Sequence, residues 1–491
     1  MNKIKHLFVV LIVLIGIPSM VLAEPPAKPS GESNVPGGNS SSNVTHTGNV
    51  TISSNTEESN KTYSSSVAEE NALLVTGGTS TLENPTINKT GSPSSHSDNY
   101  DFYGINAAVF VNSGATLNIK GGTITTDASY GNAVFAYSTG IINISDATIN
   151  TSSNNSGGVM VTGGGILTAN NCTVKTQGNS SAAIRSDRGG GTLTVNKGTY
   201  ETNGIGSPVI YSTADIIVND AILTANVSEG VVVEGKNSVS LNNVTMEATN
   251  TKLNSNSETY KSIFIYQSMS GDADVGTSSF TSKDSKIINN KGDVIFVTNT
   301  STEITLENNE IINNDSDGVF LKATTAKWGN SGSNGGNVTL NMINQKVSGD
   351  IIIDNISTLD LYLKNNSILV SSIDNFNQAK KISLTLSSDS VLSLTADTYV
   401  DSLTNEDSTN SNIYSNGNYK LYVNGKEVSI NNSSYDSNIV TSSNSDNIKE
   451  TTNNTVTKDY TIYYVIGGIC LIVVIGLVVI IMRKSYFHKL T

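Results

Sequence analysis

A short pattern recurs along the middle of this 491-residue chain: an apolar residue, any residue, an apolar residue, four more residues, then a further apolar one. It reads Leu117-x-Ile119 with Ile124, Ile142-x-Ile144 with Ile149, Leu167-x-Ala169 with Val174, and Leu193-x-Val195 with Tyr200. It continues as Ile216-x-Val218 with Leu223, Val239-x-Leu241 with Met246, Ile304-x-Leu306 with Ile311, Leu340-x-Met342 with Val347, and Leu361-x-Leu363 with Ile368, and a weaker copy ends at Ile87. From Ile124 to Met246 the last apolar position advances by 25, 25, 26, 23 and 23 residues. Elsewhere the gaps of 37, 41 and 36 predict long loops or, before Ile311, an irregular coil around Ile287. One such unit cannot bury its apolar face alone, so the units must stack and share a core.

A second ladder keeps the same step through Val109, Val134, Val159, Ala183, Val209, Val231, Ile263, Val294, Val319 and Ile351. Each period therefore holds two or three short strands with alternating burial. Helical repeats are excluded, because they need apolar residues at i, i+3, i+4 and i+7, and Asn and Gly in mid-unit would break them. Three residues before the last apolar position stand Asn84, Gly121, Asp146, Asn171, Lys197, Asp220, Asn243, Asn308, Asn344 and Asn365. Asn, Gly and Asp tolerate the left-handed backbone of a tight corner, and stacked Asn can hydrogen-bond from coil to coil. The next column, Gly122, Ala147, Cys172, Gly198 and Ala221, makes Cys172 a small inward corner residue rather than a reactive thiol.

These columns resemble the right-handed parallel β-helix of the pectin-lyase-like superfamily, and the arrangement is similar to bacterial adhesin and autotransporter-passenger proteins. The expected fold is all-β: a β-helix over 70–400 with ten or eleven coils, on the order of 50 Å long at about 4.8 Å per coil, plus one C-terminal transmembrane helix. Residues 401–430 are expected to cap it, with Asn424-Gly425 as the type I′ turn of a hairpin between Tyr419–Val423 and Lys426–Ile430.

The ends point to the cell surface. Residues 1–23 combine Lys3 and Lys5, an apolar run and a small-residue junction, the pattern of a secretory signal peptide. Residues 460–482 contain an uncharged run from Ile462 to Met482, long enough to span a bilayer, followed by a basic tail at 483–491. Polar segments at 24–69 and 431–459 read as a flexible linker and stalk. The ectodomain is then extracellular and held to the membrane by the C-terminal helix.

Charge narrows the function. Only 14% of residues are charged, with 29 Lys and Arg against 42 Asp and Glu, and the net charge is -13, so no basic surface exists to grip nucleic acid. The resemblance implies a test for polysaccharide-cleaving motifs. Neither the Asn-Thr-Asp, Asp-Asp, Gly-His-Gly and Arg-Ile-Lys set of galacturonan hydrolases nor the Trp-x-Asp-His of pectate lyases occurs; Trp328 precedes Gly-Asn, and the ectodomain's His are His46 in the linker and His96 in a loop. No catalytic residue, metal or cofactor is expected.

The cluster Arg185-Ser186-Asp187-Arg188 holds both ectodomain Arg, and Arg185, Asp187 and Arg188 are the candidate ligand contacts, toward an anionic sugar. Asp272-x-Asp274-x-Gly276 and Asn313-x-Asp315-x-Asp317-Gly318 resemble fragments of calcium loops, with turn formation the simpler reading. The outward column Thr86, Thr123, Thr148, Thr173, Thr199 and Thr245 is interrupted by Ile222, which argues against a flat ice-binding lattice. The expected function is non-enzymatic: an adhesin-like rod that binds extracellular glycan or protein ligands, over polar side chains and loops such as 90–106 and 250–261 and not in one pocket. The alternatives are a polysaccharide lyase or hydrolase, a carbohydrate-binding protein, or a passive spacer.

Overall fold

Parallel strands stacked coil upon coil make up a β-solenoid of about 15 turns. The computed structural model describes residues 44–254 and 257–436, all of them in the first of the chain's two units, Met1–Val440. Sheet A is a ladder of 12 parallel strands that starts at Gly48–Ile52 and ends at Ile351–Ile353. Sheet B carries two ladders, exemplified by Thr116–Lys120 and Thr123–Thr126, which meet at a corner. The 12-residue strands Gly165–Thr176 and Gly191–Thr202 run through that corner without a break.

The corner follows from residue type. All ten expected corner residues have positive φ, from 47° at Asn344 to 68° at Gly121. Side chains also bridge coils there: Asn171 donates to Asp146 at 2.7 Å, Asn243 to Asp220 at 2.6 Å and Asn308 to Asp284 at 2.6 Å. A second ladder lies one residue earlier, where Asn196, Asn219 and Asn242 each donate to the Asn of the preceding coil at 2.9 Å. At the turn from sheet B back to sheet A, the Ser156 N–H donates to the Ser181 hydroxyl and the Ser181 N–H to the Ser207 hydroxyl, both at 2.9 Å. The buried Ser hydroxyls thus find partners in the next coil, as burial requires, while the Asn–Asp bridges lie on the exposed corner.

Inside, one apolar cluster runs from Ile52 to Leu421. Leu117, Ile142, Leu167, Leu193, Ile216 and Val239 are in register and fully buried. Each contributes about 1.5–3 kcal/mol by leaving water. Cys172 is buried in its corner with Sγ 3.5 Å from the Asn170 carbonyl, and burial raises its thiol pKa. The Thr column is outward and in register, with Ile222 exposed within it.

Several boundaries differ from expectation. Residues 48–65, expected within the linker, form a coil of three strands, Gly48–Ile52, Thr56–Ser59 and Thr62–Ser65. Glu58 occupies the rung paired with Leu82, which hides the apolar pattern there. His46 is likewise not in a free linker; its ring stacks on Phe110 at 4.0 Å. The coil around Ile287 is regular, with Ser282 on the rung of Leu241. In sheet A the rungs are Ile184, Ile210, Ile295 and Leu321 rather than Ala183, Val209, Val294 and Val319. Asn365 and Asn366 both have positive φ, and Leu369 rather than Ile368 pairs with Val347.

Coiling also continues beyond residue 400, since Ser402–Asn405 pairs in parallel with Lys381–Leu386. The expected hairpin is present as Leu421–Val423 and Lys426–Val428, with φ of 48° at Asn424 and 72° at Gly425. No described helix is long and apolar enough to cross a membrane. The expected signal peptide, stalk, span and tail lie outside the described residues.

Candidate functional site: a groove over sheet A

The outward residues of sheet A stack in register as Phe110, Phe135, Met160, Arg185, Tyr211, Val232, Phe264 and Phe296. Most are buried although they point away from the core, because insertions in the repeat fold back over this face. The first insertion carries helix α1 (Asp98–Tyr103). Ser97 caps it by accepting from the Asn99 N–H, and Gly104, at φ 65°, ends it. Between the two apolar clusters lies a polar gap around Arg185 and Tyr211.

Insertions bring the partners of that gap from far along the chain. The Arg185 guanidinium donates to Asp187 Oδ2 at 2.9 Å and to Asp101 Oδ1 of α1 at 3.4 Å. His96 meets the other oxygen of Asp101 at 3.0 Å. Arg188 donates to Asp272 Oδ1 at 2.7 Å and lies 3.9 Å from the centre of the Phe102 ring. Beyond them, the Tyr211 and Tyr266 hydroxyls both donate to Glu234 Oε2, at 2.5 and 2.8 Å. Lys261 pairs with Glu229 at 3.0 Å over the face of Phe264, and Trp328 packs 4.8 Å from Tyr266.

Two cavities open here. One of about 290 Å³ is bordered by Asp101, Phe102, Arg185, Asp187 and Asp272, and one of about 110 Å³ by Glu229, Lys261, Phe264 and Trp328. Tyr211, Tyr266, Gly206 and Pro208 belong to both walls, which makes them one groove.

Electrostatics set the character of the groove. Burial pushes Asp187 up to about 7, although Arg185 beside it favours the charged form. One guanidinium cannot neutralise both Asp101 and Asp187, and Asp272 adds further negative charge. Burial alone would lower the pKa of Arg185, but the two carboxylates outweigh it and the net shift is upward. Burial also raises Glu234, against hydrogen bonds from Ser268, Tyr211 and Tyr266. Glu229 moves the other way: burial would raise it, but Lys261 together with hydrogen bonds from Ser228 and the backbone lowers it on balance.

No protein-family model, curated protein or solved structure matches the chain. The groove must therefore be read from its own chemistry. The three expected ligand contacts, Arg185, Asp187 and Arg188, do stand together, but both guanidinium groups already hold carboxylates of this chain. Asp101 and Lys261 fall in the loops 90–106 and 250–261 that were expected to carry binding, though neither was singled out, and Tyr211, Glu234, Tyr266 and Trp328 were not foreseen as site residues. The available signal was the lengthened periods, since the insertions that stretch the repeat carry Asp101 and Asp272 to this face, while Lys261 opens the strand Lys261–Tyr266 that follows one of them.

The acidic loops resembling calcium sites are engaged otherwise. Asp274 meets Lys236 at 3.0 Å. Asp315 accepts from the Gly292 N–H at 2.8 Å and meets Lys291 at 2.9 Å, contacts that hold it at about 2. Among the described residues no group of three or more His, Cys, Asp or Glu side chains is placed to hold a metal ion.

Proposed function

We propose that this chain is a membrane-anchored, adhesin-like surface protein whose right-handed β-helix, similar to the pectin-lyase-like superfamily, binds a glycan in the groove over sheet A. The carrying observation is the convergence of aromatic rings, carboxylates and bound cations on one groove of a chain otherwise poor in charge. Binding sites for small ligands are concave, with apolar and aromatic walls and a few placed polar groups. Pyranose rings offer apolar C–H faces to aromatic rings and hydroxyls to carboxylates, and this groove supplies both. The 23-residue leader and the uncharged run near the C-terminus support surface display.

The test is an array of glycans and matrix proteins probed with the full chain in detergent. Saturable glycan binding that weakens roughly tenfold in Trp328→Ala is expected, in line with the loss of one well-packed aromatic contact. Binding to matrix proteins alone, unaffected by Trp328→Ala, would move the function away from the groove.

A second reading has one observation in its favour. Asp187, held up to about 7 in a cleft beside other carboxyls, has the protonation a general acid needs near neutral pH. Release of new reducing ends or unsaturated sugars from polysaccharides by the full chain, abolished in Asp187→Asn, would establish an enzyme.

A further inference from the structure

We propose that the groove takes an uncharged sugar chain, one bearing neither carboxylate nor sulfate, because the cations in and behind its wall are already held by carboxylates of the protein. This deepens the glycan reading and rests on it. Three cations stand here: Arg185 on Asp101 and Asp187, Arg188 on Asp272, and Lys261 on Glu229. With Glu234 added, five carboxyl groups face three cations.

Donor capacity remains at Arg185 Nη1 and Arg188 Nε, buried atoms with no hydrogen-bond partner, but it stands beside an excess of carboxylates. Lys261 spends its other hydrogens on the Thr259 carbonyl and the Ser257 hydroxyl, and its charge lies 4.4 Å from the Phe264 ring centre. Arg188 stacks on Phe102. An anionic sugar at Arg185 would lie against Asp101 and Asp187 with Asp272 nearby, adding charge to an acidic cluster, or else displace one of them and leave a buried carboxylate without its partner, the costly outcome for an internal ion pair. An uncharged pyranose requires no such exchange. Its hydroxyls can donate to carboxylate oxygens at the groove, and its C–H faces can cover Tyr211, Tyr266 and Trp328.

The experiment titrates the full chain in detergent with four probes of matched length: neutral hexose oligomers, N-acetylhexosamine oligomers, uronate oligomers and sulfated oligomers. Neutral or N-acetylated chains are expected to bind at least tenfold more tightly than the two acidic classes, with little dependence on salt. Tighter binding of uronate or sulfated chains overturns the inference while leaving a glycan-binding groove. If no class binds, the glycan reading itself falls, and the inference with it.

Discussion

Asp187→Asn tests the electrostatics of the groove most directly. The wild-type carboxyl lies at about 7 in the folded protein against an ordinary 3.8, with burial as the main cause. That difference is worth about 4 kcal/mol at 1.36 kcal/mol per tenfold change in proton affinity, and the side chain is buried enough for solvent screening to matter little. The folded state binds this proton more tightly than the unfolded chain does. Stability from this group is therefore gained as pH falls from about 7 toward 3.8 and lost as pH rises through that window. Asn is nearly isosteric and cannot titrate. Calorimetric melting of wild type and variant in detergent between pH 4 and 8.5 isolates Asp187, because the other titrating groups are common to both proteins. The gap should swing by about 4 kcal/mol in favour of Asn at the alkaline end, or roughly 5 °C for a unit of this size. Melting curves that stay parallel across the range would show that Asp187 ionises as an ordinary carboxyl and would refute the account of the shared guanidinium.

Three further outcomes probe the scaffold. Lys197 sits exposed at a corner with φ 63°, so Lys197→Gly should stabilise by about 0.5–1 kcal/mol in denaturant melts, and a loss would mean that the corner is not strained. Gly204 stacks on Gly178 so closely that an added Cβ would lie 1.8 Å from the Gly178 carbonyl oxygen; Gly204→Ala should cost about 1–3 kcal/mol, and a neutral result would deny the tight stacking. In a Cys470→Ser chain, Cys172 should ignore thiol reagents until denaturant is added. Labelling of the native protein would place that side chain outside the core.

The corners of the coil were legible because residue type alone selects left-handed backbone, and Asn84, Asp146 and Asn344 needed no tertiary context to be recognised. Sheet A was harder. Ala183 and Ile184 are both buried in the interior cluster, as are Val209 and Ile210, so two successive residues pack into the core where the chain enters that sheet. Alternation then loses its contrast and the register slips by one. The first coil was hidden for the opposite reason, since Glu58 stands where its neighbour has Leu82. For the groove, Arg185, Asp187 and Arg188 could be picked out as a run. Their partners could not, because Asp101 and Asp272 each lie 84 residues from the Arg they meet. Pairing at that distance depends on how many coils and insertions intervene, which no local pattern encodes.

The same geometry supports the proposal that the groove binds a ligand. Sheet B faces outward with open rows of Thr and Asn, which the repeat alone can supply. Sheet A instead buries Arg185, Asp187, Lys261 and Glu229 beneath insertions that the stacking of coils does not require. Desolvating ion pairs is a poor way to gain stability, since well-packed apolar residues of similar volume often serve as well or better. The cluster of Phe110, Phe135 and Met160 at one end demonstrates that this face can be closed mainly by hydrophobic packing. Where the sheet instead keeps an Arg shared between two carboxyls, beside a cavity of about 290 Å³, stability is the weaker explanation and recognition the stronger.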